Sequence, residues 1–306
     1  MRILLTGVTG QVGQALRKPL HCFATVIAAD RSALDLSHPE HISAALDSFS
    51  PDLIINPAAY TAVDQAEDEG ELAYRVNAEA PRAMARWAAL HGVPMVHFST
   101  DYVFDGSGDR AWREGDPTGP LSVYGASKLA GEAALRDAGG SHLIIRTSWI
   151  FAASGRNFLT TIARLARERQ ELRIVADQFG APTSARSIAE GLVAMLSSVG
   201  THEKEPFVEI IEQRFYEADG LVHMSTSGET TWHGFASAIV EGLRARRISL
   251  TVKDLIAIET ADFPAKAVRP RNSRLDMGRL HGVFGIQMPN WQEALARELD
   301  DLSLAK

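Results

Sequence analysis

Tyr124 and Lys128 lie four positions apart, a spacing that places two side chains on one face of a helix. An isolated tyrosine phenol has a pKa of about 10 and exchanges protons poorly at neutral pH. A nearby ammonium group favours the phenolate and lowers that pKa. The pair therefore predicts proton-transfer chemistry, with Tyr124 as the reacting group and Lys128 as its partner. The alternative is two solvated side chains on an exposed helix face.

Two hydroxyl side chains, Ser99 and Thr100, lie where a strand predicted over Met95–Ser99 ends. Parallel α/β sheets bind their ligands at such strand ends. Because side chains alternate along an extended strand, only one of the two hydroxyls faces the site. That hydroxyl is expected to donate a hydrogen bond to a substrate carbonyl oxygen and to polarise the carbonyl. Asp101 follows directly, either as a substrate contact or as a cap.

Gly7, Gly10 and Gly13 form a GxxGxxG motif between a first predicted strand, Arg2–Leu5, and a predicted helix, Gln11–Leu20. Glycine permits the tight turn, lets the backbone approach a pyrophosphate and lets the helix pack closely on the sheet. The amide groups and the positive end of the helix dipole then face the diphosphate. In this strand–turn–helix setting the motif favours a dinucleotide site over a turn without a ligand.

Asp30 ends the second predicted strand, Thr25–Ala29, at about the distance from the glycine turn (roughly 20 residues) where a ribose-binding acid stands. A carboxylate there binds the adenosine ribose hydroxyls and repels a 2′-phosphate, which favours NADH. The adjacent Arg31 can hold that phosphate instead, which favours NADPH. The choice between NADPH and NADH therefore stays open. Asp35 and Leu36 are candidates for the adenine side, with a turn or cap carboxylate as the alternative for Asp35.

The composition excludes several classes of protein. The 306 residues carry a formal net charge of −7, so a broad basic surface for nucleic acid is not expected. A single cysteine, Cys22, cannot form a disulfide bond within the chain or build a cysteine-based metal cluster. The N-terminus lacks the pattern of a signal peptide, and no apolar run approaches the about 18 residues of a membrane span. We expect a cytoplasmic enzyme with neither nucleic-acid nor membrane partners, whose histidines lack metal-ligand spacing.

Short apolar runs alternate with helical patterns through the first half of the chain, and further strands are predicted over Leu53–Asn56 and Leu143–Thr147. This alternation predicts an α/β fold, a Rossmann-type doubly wound parallel sheet with helices on both faces. The other helices predicted in this half are His41–Phe49, Glu71–His91 and Ser122–Ala138.

The second half is less regular and predicts a smaller C-terminal α/β domain for the substrate. The polar, Glu-rich stretch Thr201–Gly220 predicts an exposed excursion, and Leu221–Ser225 predicts a strand that returns to the sheet. Residues 1–150, with that strand, are expected to form the dinucleotide-binding domain, and residues 151–306 mainly the substrate domain. The helices predicted here are Phe158–Arg169, Ala185–Ser198, Trp232–Arg246 and Trp291–Leu302.

Longer motifs run through both halves of the chain. They are Asn56–Tyr60, His97–Gly106, Pro120–Glu132, Arg146–Phe151, Asp177–Thr183 and Arg269–Leu275. Together with the glycine turn and the Tyr124–Lys128 pair, in this order, they resemble the extended short-chain dehydrogenase/reductase family over nearly the whole chain.

The resemblance implies roles for particular residues, with Tyr124 as the proton donor, Lys128 as its partner and Thr100 as the group that stabilises the substrate oxygen. With the residues argued above, the expected cofactor site comprises Gly7, Gly10, Gln11, Val12, Gly13, Asp30, Arg31, Asp35, Leu36, Ala59, Tyr60, Thr61, Tyr124 and Lys128. The expected substrate contacts are Thr100, Asp101, Trp149, Arg269 and Asn272. Core packing is the alternative for Trp149, and a salt-bridge cluster near Asp276 is the alternative for Arg269.

The implied activity is the NAD(P)H-dependent reduction of the 4-keto group of dTDP-4-dehydro-L-rhamnose to dTDP-L-rhamnose. One alternative is a reductase of another 4-keto-6-deoxy nucleotide sugar. Another is a non-catalytic NADP-binding regulatory subunit, like the family member that serves a methionine adenosyltransferase. Some family members are dimers bridged by magnesium through a carboxylate on the first helix, where this chain has Ala15. No metal is therefore expected, and a homodimer is left open.

Overall fold

The computed structural model describes residues 1–22, 24–200 and 204–304. Its strands are β1 (Arg2–Leu5), β2 (Thr25–Ala28), β3 (Leu53–Asn56), β4 (Met95–Thr100), β5 (His142–Thr147), β6 (Ile150–Phe151), β7 (Glu171–Val175), β8 (Phe179–Gly180), β9 (Thr183–Ser184), β10 (Leu221–His223), β11 (Thr230–Thr231) and β12 (Asp254–Ile258). Its helices are α1 (Gln11–His21), α2 (Ile42–Phe49), α3 (Val63–Ala66), α4 (Gly70–Tyr74), α5 (Ala80–His91), α6 (Val123–Ala138), α7 (Phe158–Glu168), α8 (Ala185–Ser197), α9 (Lys204–Glu217), α10 (Trp232–Ala245), α11 (Gly278–Phe284) and α12 (Trp291–Leu304). Among the described residues, no helix combines the length and apolar character needed to cross a membrane.

Six strands form one parallel sheet in the order β2-β1-β3-β4-β5-β10. In this register Ile3 lies opposite Val26 on one side and Leu53 on the other. The chain order of the strands reverses between β1 and β3, which is where sheets of this kind bind ligands. The predicted doubly wound parallel sheet is confirmed, and the strand predicted over Leu221–Ser225 does return to it, as β10 beside β5.

Two layers of helices cover the sheet, because successive residues of each strand point to opposite faces. In β1, Ile3 and Leu5 belong to the core that α1, α8, α9 and α11 complete. Leu4, between them, belongs to the core on the other face, with α2, α5 and Leu135 of α6. A slip of one residue would exchange the two faces, so this apolar pattern fixes the register of the strands.

A second, smaller core is built from the C-terminal half of the chain. Helices α7, α10 and α12 pack there with β7, and Phe151, Phe235 and Trp291 are among its aromatic side chains. Strand β7 pairs in parallel with β12, with Leu172 opposite Leu255. Helices α8, α9 and α11 also follow residue 150 but pack on the large sheet. The chain therefore passes between the two cores more often than the predicted division at residue 150 implies.

The stretch Thr201–Gly220 departs from its prediction. Residues 201–203 lie outside the described residues, and from Lys204 to Glu217 the chain forms α9. Three of its side chains are buried in the core of the large sheet, namely Phe207, Ile211 and Phe215. The prediction of an exposed excursion is wrong because these apolar residues recur every four positions, at helical spacing, among the charged ones.

We expect Phe207→Ala to lower the free energy of unfolding by about 3–5 kcal/mol, because it removes a ring from a packed core and leaves a cavity. Tyr216 on the same helix is 82% exposed, so Tyr216→Ala is the matched control. A change within about 0.5 kcal/mol is expected for the control. Urea unfolding followed by circular dichroism measures both. Equal losses in the two variants would contradict the packing of α9.

Candidate active site

Helix α6 carries Tyr124 and starts directly beside the turn that follows β4. Its N-cap residue is Ser122, whose Oγ accepts a hydrogen bond from Gly125 N at 3.2 Å. Glycine is required at 125 because a Cβ there would lie 2.2 Å from the carbonyl oxygen of Tyr102. This approach brings the rings of Tyr102 and Tyr124 edge to face, with centroids 5.5 Å apart. The first turn of α6 is therefore packed on the end of β4.

A buried ion pair holds α6 on the sheet two turns further along. Arg146 of β5 donates from Nε to Glu132 Oε1 at 2.8 Å and from Nη2 to Glu132 Oε2 at 2.7 Å. Burial raises the pKa of Glu132, but the hydrogen bonds and charge of Arg146 outweigh it and hold the pKa below its ordinary value. Ser99 Oγ donates to Glu132 Oε1 at 2.6 Å. Ser99 thus points to the ion pair, and of the two candidate hydroxyls Thr100 is the one left to face the site.

Thr100 and Asp101 lie at the carboxyl end of β4, and both are buried. Thr100 Oγ1 accepts from Tyr102 N at 3.2 Å and donates to Asp101 Oδ1 at 3.1 Å. Burial raises the pKa of Asp101 to about 6, against a lowering by the hydroxyls of Ser273 and Thr100. Thr100, rather than Asp101, caps the short turn that follows β4.

Burial raises the pKa of the Tyr124 phenol to about 12, against a lowering by the Thr100 hydroxyl. This direction is opposite to the lowering by Lys128 that the spacing predicted. The Lys128 amine is engaged elsewhere, since Nζ donates to Phe98 O at 2.6 Å and lies 3.2 Å from His97 Nε2. Burial lowers the pKa of Lys128 to about 8, against the charge of Glu132. A protonated phenol thus shares one helix face with an amine that titrates close to neutral pH.

The glycine turn lines a cleft of about 570 Å³ beside the point where the strand order reverses. The predicted cofactor residues that line it are Gly7, Gly10, Gln11, Val12, Gly13, Asp30, Arg31, Asp35, Leu36, Ala59, Tyr60 and Thr61. Tyr124 and Lys128 are not part of this lining. Lys128 is connected to the cleft by hydrogen bonds that run from Thr6, in the cleft wall, through Asn56 and His97 to Lys128 Nζ.

Two glycines of the turn are required by the backbone. Gly7 has φ +57°, and a Cβ at Gly13 would lie 2.1 Å from the carbonyl oxygen of Gly7. Gly10 is the N-cap of α1 and offers no side chain to the amides of the first turn. Gln11 Oε1 is buried and has no hydrogen-bond partner among the described residues. The uncapped amides fit a diphosphate, and the unpaired oxygen of Gln11 fits a ligand hydroxyl.

Asp30 and Asp35 both accept hydrogen bonds from neighbouring serines. Ser32 donates to Asp30 Oδ1 from its hydroxyl at 2.6 Å and from its amide at 2.9 Å, which lowers the pKa of Asp30. The Ser37 hydroxyl donates to Asp35 at 2.6 Å and is the main reason why the pKa of Asp35 is about 2. Arg31 Nε donates to Asp35 Oδ2 at 3.1 Å. Asp35 is thus a turn carboxylate, the alternative considered above, and it also lines the cleft.

One part of the cleft wall was missed from the sequence. Ile150 and the segment Ser154–Arg156 line the cleft. Gly155 has φ +74°, and Asn157 caps the helix that follows, accepting from Thr160 N at 3.1 Å. A Ser-Gly-Arg-Asn run directly before a helix is a turn signal that carries an exposed cation. Arg156 adds a second guanidinium to the cleft beside Arg31.

Trp149 has both a packing role and a strained backbone. Its indole stacks on Trp232 with ring centroids 3.7 Å apart, and it is 9% exposed. Gly180 makes room for it, because a Cβ there would lie 2.7 Å from Trp149 Cε2. Its φ is +47°, a conformation that is costly for a bulky side chain and that clusters at functional sites. Packing therefore accounts for the contacts of the Trp149 side chain but not for the positive φ of its backbone.

Arg269 and Asn272 were both predicted to contact substrate, and their contacts differ. Arg269 Nη2 donates to Asp64 Oδ2 at 2.6 Å and Nη1 to Oδ1 at 3.2 Å, so the salt-bridge alternative is present with Asp64, not Asp276, as the partner. Asn272 is buried, and its Nδ2 donates to Arg110 O at 2.7 Å. The side-chain amide of Asn272 thus joins two loops of the chain, and its contact with substrate stays a prediction.

One histidine cluster departs from the expectation that histidines lack metal-ligand spacing. The ligand atoms of His38, Glu40 and His41 lie within 4.8 Å of one another. All three side chains are exposed, and His38 Nδ1 is 3.2 Å from Glu40 Oε1. Exposed clusters of this kind are common without an ion, so no metal role is assigned to it.

The chain matches known proteins over almost its whole length. A family model described as RmlD substrate binding domain matches residues 1–304. A dTDP-4-dehydrorhamnose reductase of Burkholderia thailandensis is 44% identical, with 99% of each chain covered. Another, from Escherichia coli K12, is 42% identical and covers 99% of this chain and 98% of its own. The chain belongs to the dTDP-4-dehydrorhamnose reductase family.

A solved structure from the dTDP-4-dehydrorhamnose reductase family has the same fold. The Bacillus anthracis reductase, solved in complex with NADP, matches with a TM-score of 0.85 and 32% identity. The match covers 98% of this chain and 99% of the other. The sheet and the two cores described above are therefore those of this reductase family, and the chain is an NAD(P)H-dependent oxidoreductase by membership.

Glu132→Gln is expected to lower the free energy of unfolding by about 3–5 kcal/mol, because it leaves Arg146 charged and unpaired in the core. The matched control is Glu168→Gln, in the exposed pair with Arg164 on α7. A change within about 0.5 kcal/mol is expected for the control. Chemical denaturation of both variants measures the difference. If Glu132→Gln were as stable as the control, the ion pair would not hold α6 in place.

Proposed function

We propose that this chain reduces the 4-keto group of dTDP-4-dehydro-L-rhamnose to give dTDP-L-rhamnose, the last step of dTDP-L-rhamnose synthesis, with NADPH or NADH as reductant. The proposal is carried by one observation, the grouping of Thr100, Tyr124 and Lys128 at the carboxyl end of β4 in a chain 44% identical to such a reductase. A keto reduction needs a proton donor at the oxygen, and the buried Tyr124 phenol is protonated.

The cofactor is assigned to the cleft of the glycine turn. The amides of Gln11 and Val12 face the diphosphate, and Gly10 lies beside it, with its own amide donated to Gly7 O at 2.9 Å within the turn. Gly7 and Gly13 let the backbone approach the diphosphate. The adenosine lies by Asp30, Arg31, Asp35 and Leu36, and the segment 59–61 lines the part of the cleft nearer the reacting end. Lys128 is assigned to the nicotinamide ribose, a contact that requires its amine to turn from Phe98 O and His97 Nε2 toward the bound cofactor. Supporting this assignment are the uncapped first turn of α1 and the unpaired Gln11 oxygen.

The reduction adds one hydride and one proton to the carbonyl group. Bound NAD(P)H supplies the hydride. Tyr124 donates its phenolic proton to the oxygen on C4, because burial keeps the phenol protonated, with a pKa of about 12. Lys128, whose pKa is lowered by burial to about 8, returns a proton to the phenolate. Thr100 Oγ1 accepts from Tyr102 N and donates to Asp101 Oδ1 in the structure, so a hydrogen bond from Thr100 to the same substrate oxygen requires its hydrogen to turn away from Asp101.

The sugar nucleotide is assigned to the groups beside this end of β4. Asp101 accepts from sugar hydroxyls, and Trp149 packs against the ligand. Arg269 recognises a phosphate, for which its fork of N–H donors is suited. In the structure that fork is held by Asp64, so phosphate binding by Arg269 requires exchange of one anionic partner for another.

We also infer how the chain is divided and where it acts. The large sheet, with α8, α9, β10 and α11 added to residues 1–150, is the dinucleotide-binding part, and the smaller core is the main sugar-nucleotide part. We propose that the protein acts in the cytoplasm on a small-molecule substrate and assembles as a homodimer.

Tyr124→Phe is expected to lower kcat by at least about 10²-fold, because it removes the proton donor while leaving the ring packed on Tyr102. Oxidation of NADPH or NADH by enzymatically made dTDP-4-dehydro-L-rhamnose is followed at the absorbance of the reduced nicotinamide. The control is Tyr216→Phe, which alters an exposed tyrosine. Cofactor affinity, from quenching of protein fluorescence, is expected to stay near that of the wild type.

Three results would contradict the proposed function. Wild-type kcat in Tyr124→Phe would remove Tyr124 from the chemistry. Faster turnover of a different 4-keto-6-deoxy nucleotide sugar would replace the substrate. Cofactor binding without turnover of any such sugar would favour the regulatory-subunit alternative.

Arg31→Ala is expected to lower kcat/KM for NADPH relative to that for NADH by about tenfold, because it removes the cation available to the 2′-phosphate while Asp30 remains. The ratio of kcat/KM for the two cofactors measures this preference. Arg164→Ala, an exposed arginine of α7, is the matched control. An unchanged ratio in Arg31→Ala would shift the phosphate contact to Arg156, the second guanidinium of the cleft.

A further inference from the structure

A line of buried hydrogen bonds joins Lys128 to the wall of the cofactor cleft. Lys128 Nζ is 3.2 Å from His97 Nε2, and His97 Nδ1 is 3.1 Å from Asn56 Nδ2. Asn56 Oδ1 accepts from Thr6 Oγ1 at 2.6 Å and from Ala58 N at 3.2 Å. The side chains of Asn56 and His97 are completely buried, and those of Thr6 and Lys128 are 2% exposed. The proton-transfer step proposed above does not use His97 or Asn56.

The backbone amide of Ala58 fixes the direction of this line. A backbone N–H can only donate, so the Asn56 atom facing it must be the carbonyl oxygen. The amide nitrogen of Asn56 then faces His97 and donates to Nδ1. A neutral imidazole that accepts at Nδ1 carries its proton on Nε2. That proton points at Lys128 Nζ, which therefore has to accept.

Only the neutral amine can accept a hydrogen bond, because an ammonium group has three donors and no lone pair. The neutral amine meets both contacts at once, since it donates to Phe98 O at 2.6 Å and accepts from His97 Nε2 at 3.2 Å. In the ammonium form, an N–H donor of Lys128 would face the Nε2–H donor of His97, and neither could accept. Restoring the pairing would require the His97 proton to move to Nδ1 and the Asn56 amide to rotate, which breaks the bond from Ala58.

We propose that His97 is a positioning residue for the reduction, which donates Nε2–H to Lys128 and so makes the Lys128 ammonium a better proton donor to Tyr124. Asn56 sets the tautomer of His97, and Ala58 N sets the orientation of Asn56. The proposal rests on the proposed function, because it gives Lys128 the task of returning the proton that Tyr124 donates.

The charges around Lys128 act in a consistent way. Glu132, one turn further along α6, favours the ammonium, but Arg146 of β5 and Arg136 of α6 neutralise it. Tyr124, one turn before, is protonated and carries no charge. Asn77, from the π-helical turn before α5, is neutral and donates to Ser127 Oγ at 3.0 Å. Burial lowers the pKa of Lys128. Burial and the charge of Lys128 lower the pKa of His97, against a raising by the backbone carbonyl of Asn56. Both directions agree with a neutral imidazole facing an amine that loses its proton readily.

The first test reads the tautomer directly and needs no substrate. Two-bond ¹H–¹⁵N correlation spectra of the ¹⁵N-labelled wild-type protein distinguish a histidine with its proton on Nε2 from one with its proton on Nδ1. The His97 signals are assigned by their loss in His97→Gln. We expect the Nε2–H pattern at a pH above that at which Lys128 loses its proton. In Asn56→Asp, the carboxylate accepts from His97 and the pattern is expected to change to Nδ1–H. An Nδ1–H pattern in the wild type would overturn the proposal.

The second test is the pH dependence of kcat/KM for the keto sugar. The side-chain amide of His97→Gln can turn its oxygen to the ammonium, so the alkaline limb of the profile is expected to move upward by about half to one pH unit. Asn56→Asp is expected to move it in the same direction. His142→Gln, which alters a half-buried histidine at the start of β5, is the matched control with an unshifted limb.

The outcomes separate this inference from the proposed function. An unshifted alkaline limb in His97→Gln, with wild-type turnover intact, would overturn the role of His97 and leave the reductase assignment standing. A wild type that does not reduce the keto sugar would overturn the proposed function, while the tautomer spectra would still decide the direction of the hydrogen bonds. Loss of kcat in His97→Gln without any shift of the limb would indicate a merely structural residue.

Discussion

The buried ion pair of Glu132 and Arg146 is the constraint on which the geometry of the site depends. Neither side chain is more than 2% exposed, so each charge has to be matched by the other. Glu132 comes from α6 and Arg146 from β5, so the pair fixes the position of the helix along the sheet. Ser99 is drawn to the same carboxylate, which turns Thr100 to the opposite side. The order of polar residues at the end of β4 follows from this one contact.

Sequence patterns predicted the parts of this architecture whose signals are local. The strands of the large sheet are short runs of apolar residues, and burial on both faces makes such runs continuous. The glycine turn was predictable because Gly7 and Gly13 meet each other within one turn of chain, where no side chain fits. The spacing of Tyr124 and Lys128 likewise needs nothing beyond the geometry of a single helix.

The rest depended on contacts between distant parts of the chain. Helix α9 was not predicted because its three buried apolar residues stand among glutamates. Only the neighbouring sheet shows which face of the helix is covered. The partner of Arg269 is Asp64, which sits on a helix too short to be predicted. The predicted lowering of the Tyr124 pKa by Lys128 was wrong. Spacing on a helix does not show which neighbouring strand supplies the hydrogen-bond partner of the Lys128 amine.

Three ionisable side chains, Tyr124, Lys128 and Glu132, stand on successive turns of α6, and burial raises or lowers the pKa of each according to its charge. Their partners decide the outcome. Glu132 meets a cation and stays ionised, Lys128 meets a neutral imidazole and a carbonyl, and Tyr124 meets a neutral hydroxyl. Along α6, the neutral phenol of Tyr124 is thus followed by the readily deprotonated amine of Lys128 and then by the ionised carboxylate of Glu132. A shift of α6 by one turn would exchange these partners, so the site depends on the clamp at Glu132 more than on any contact made by Tyr124 itself.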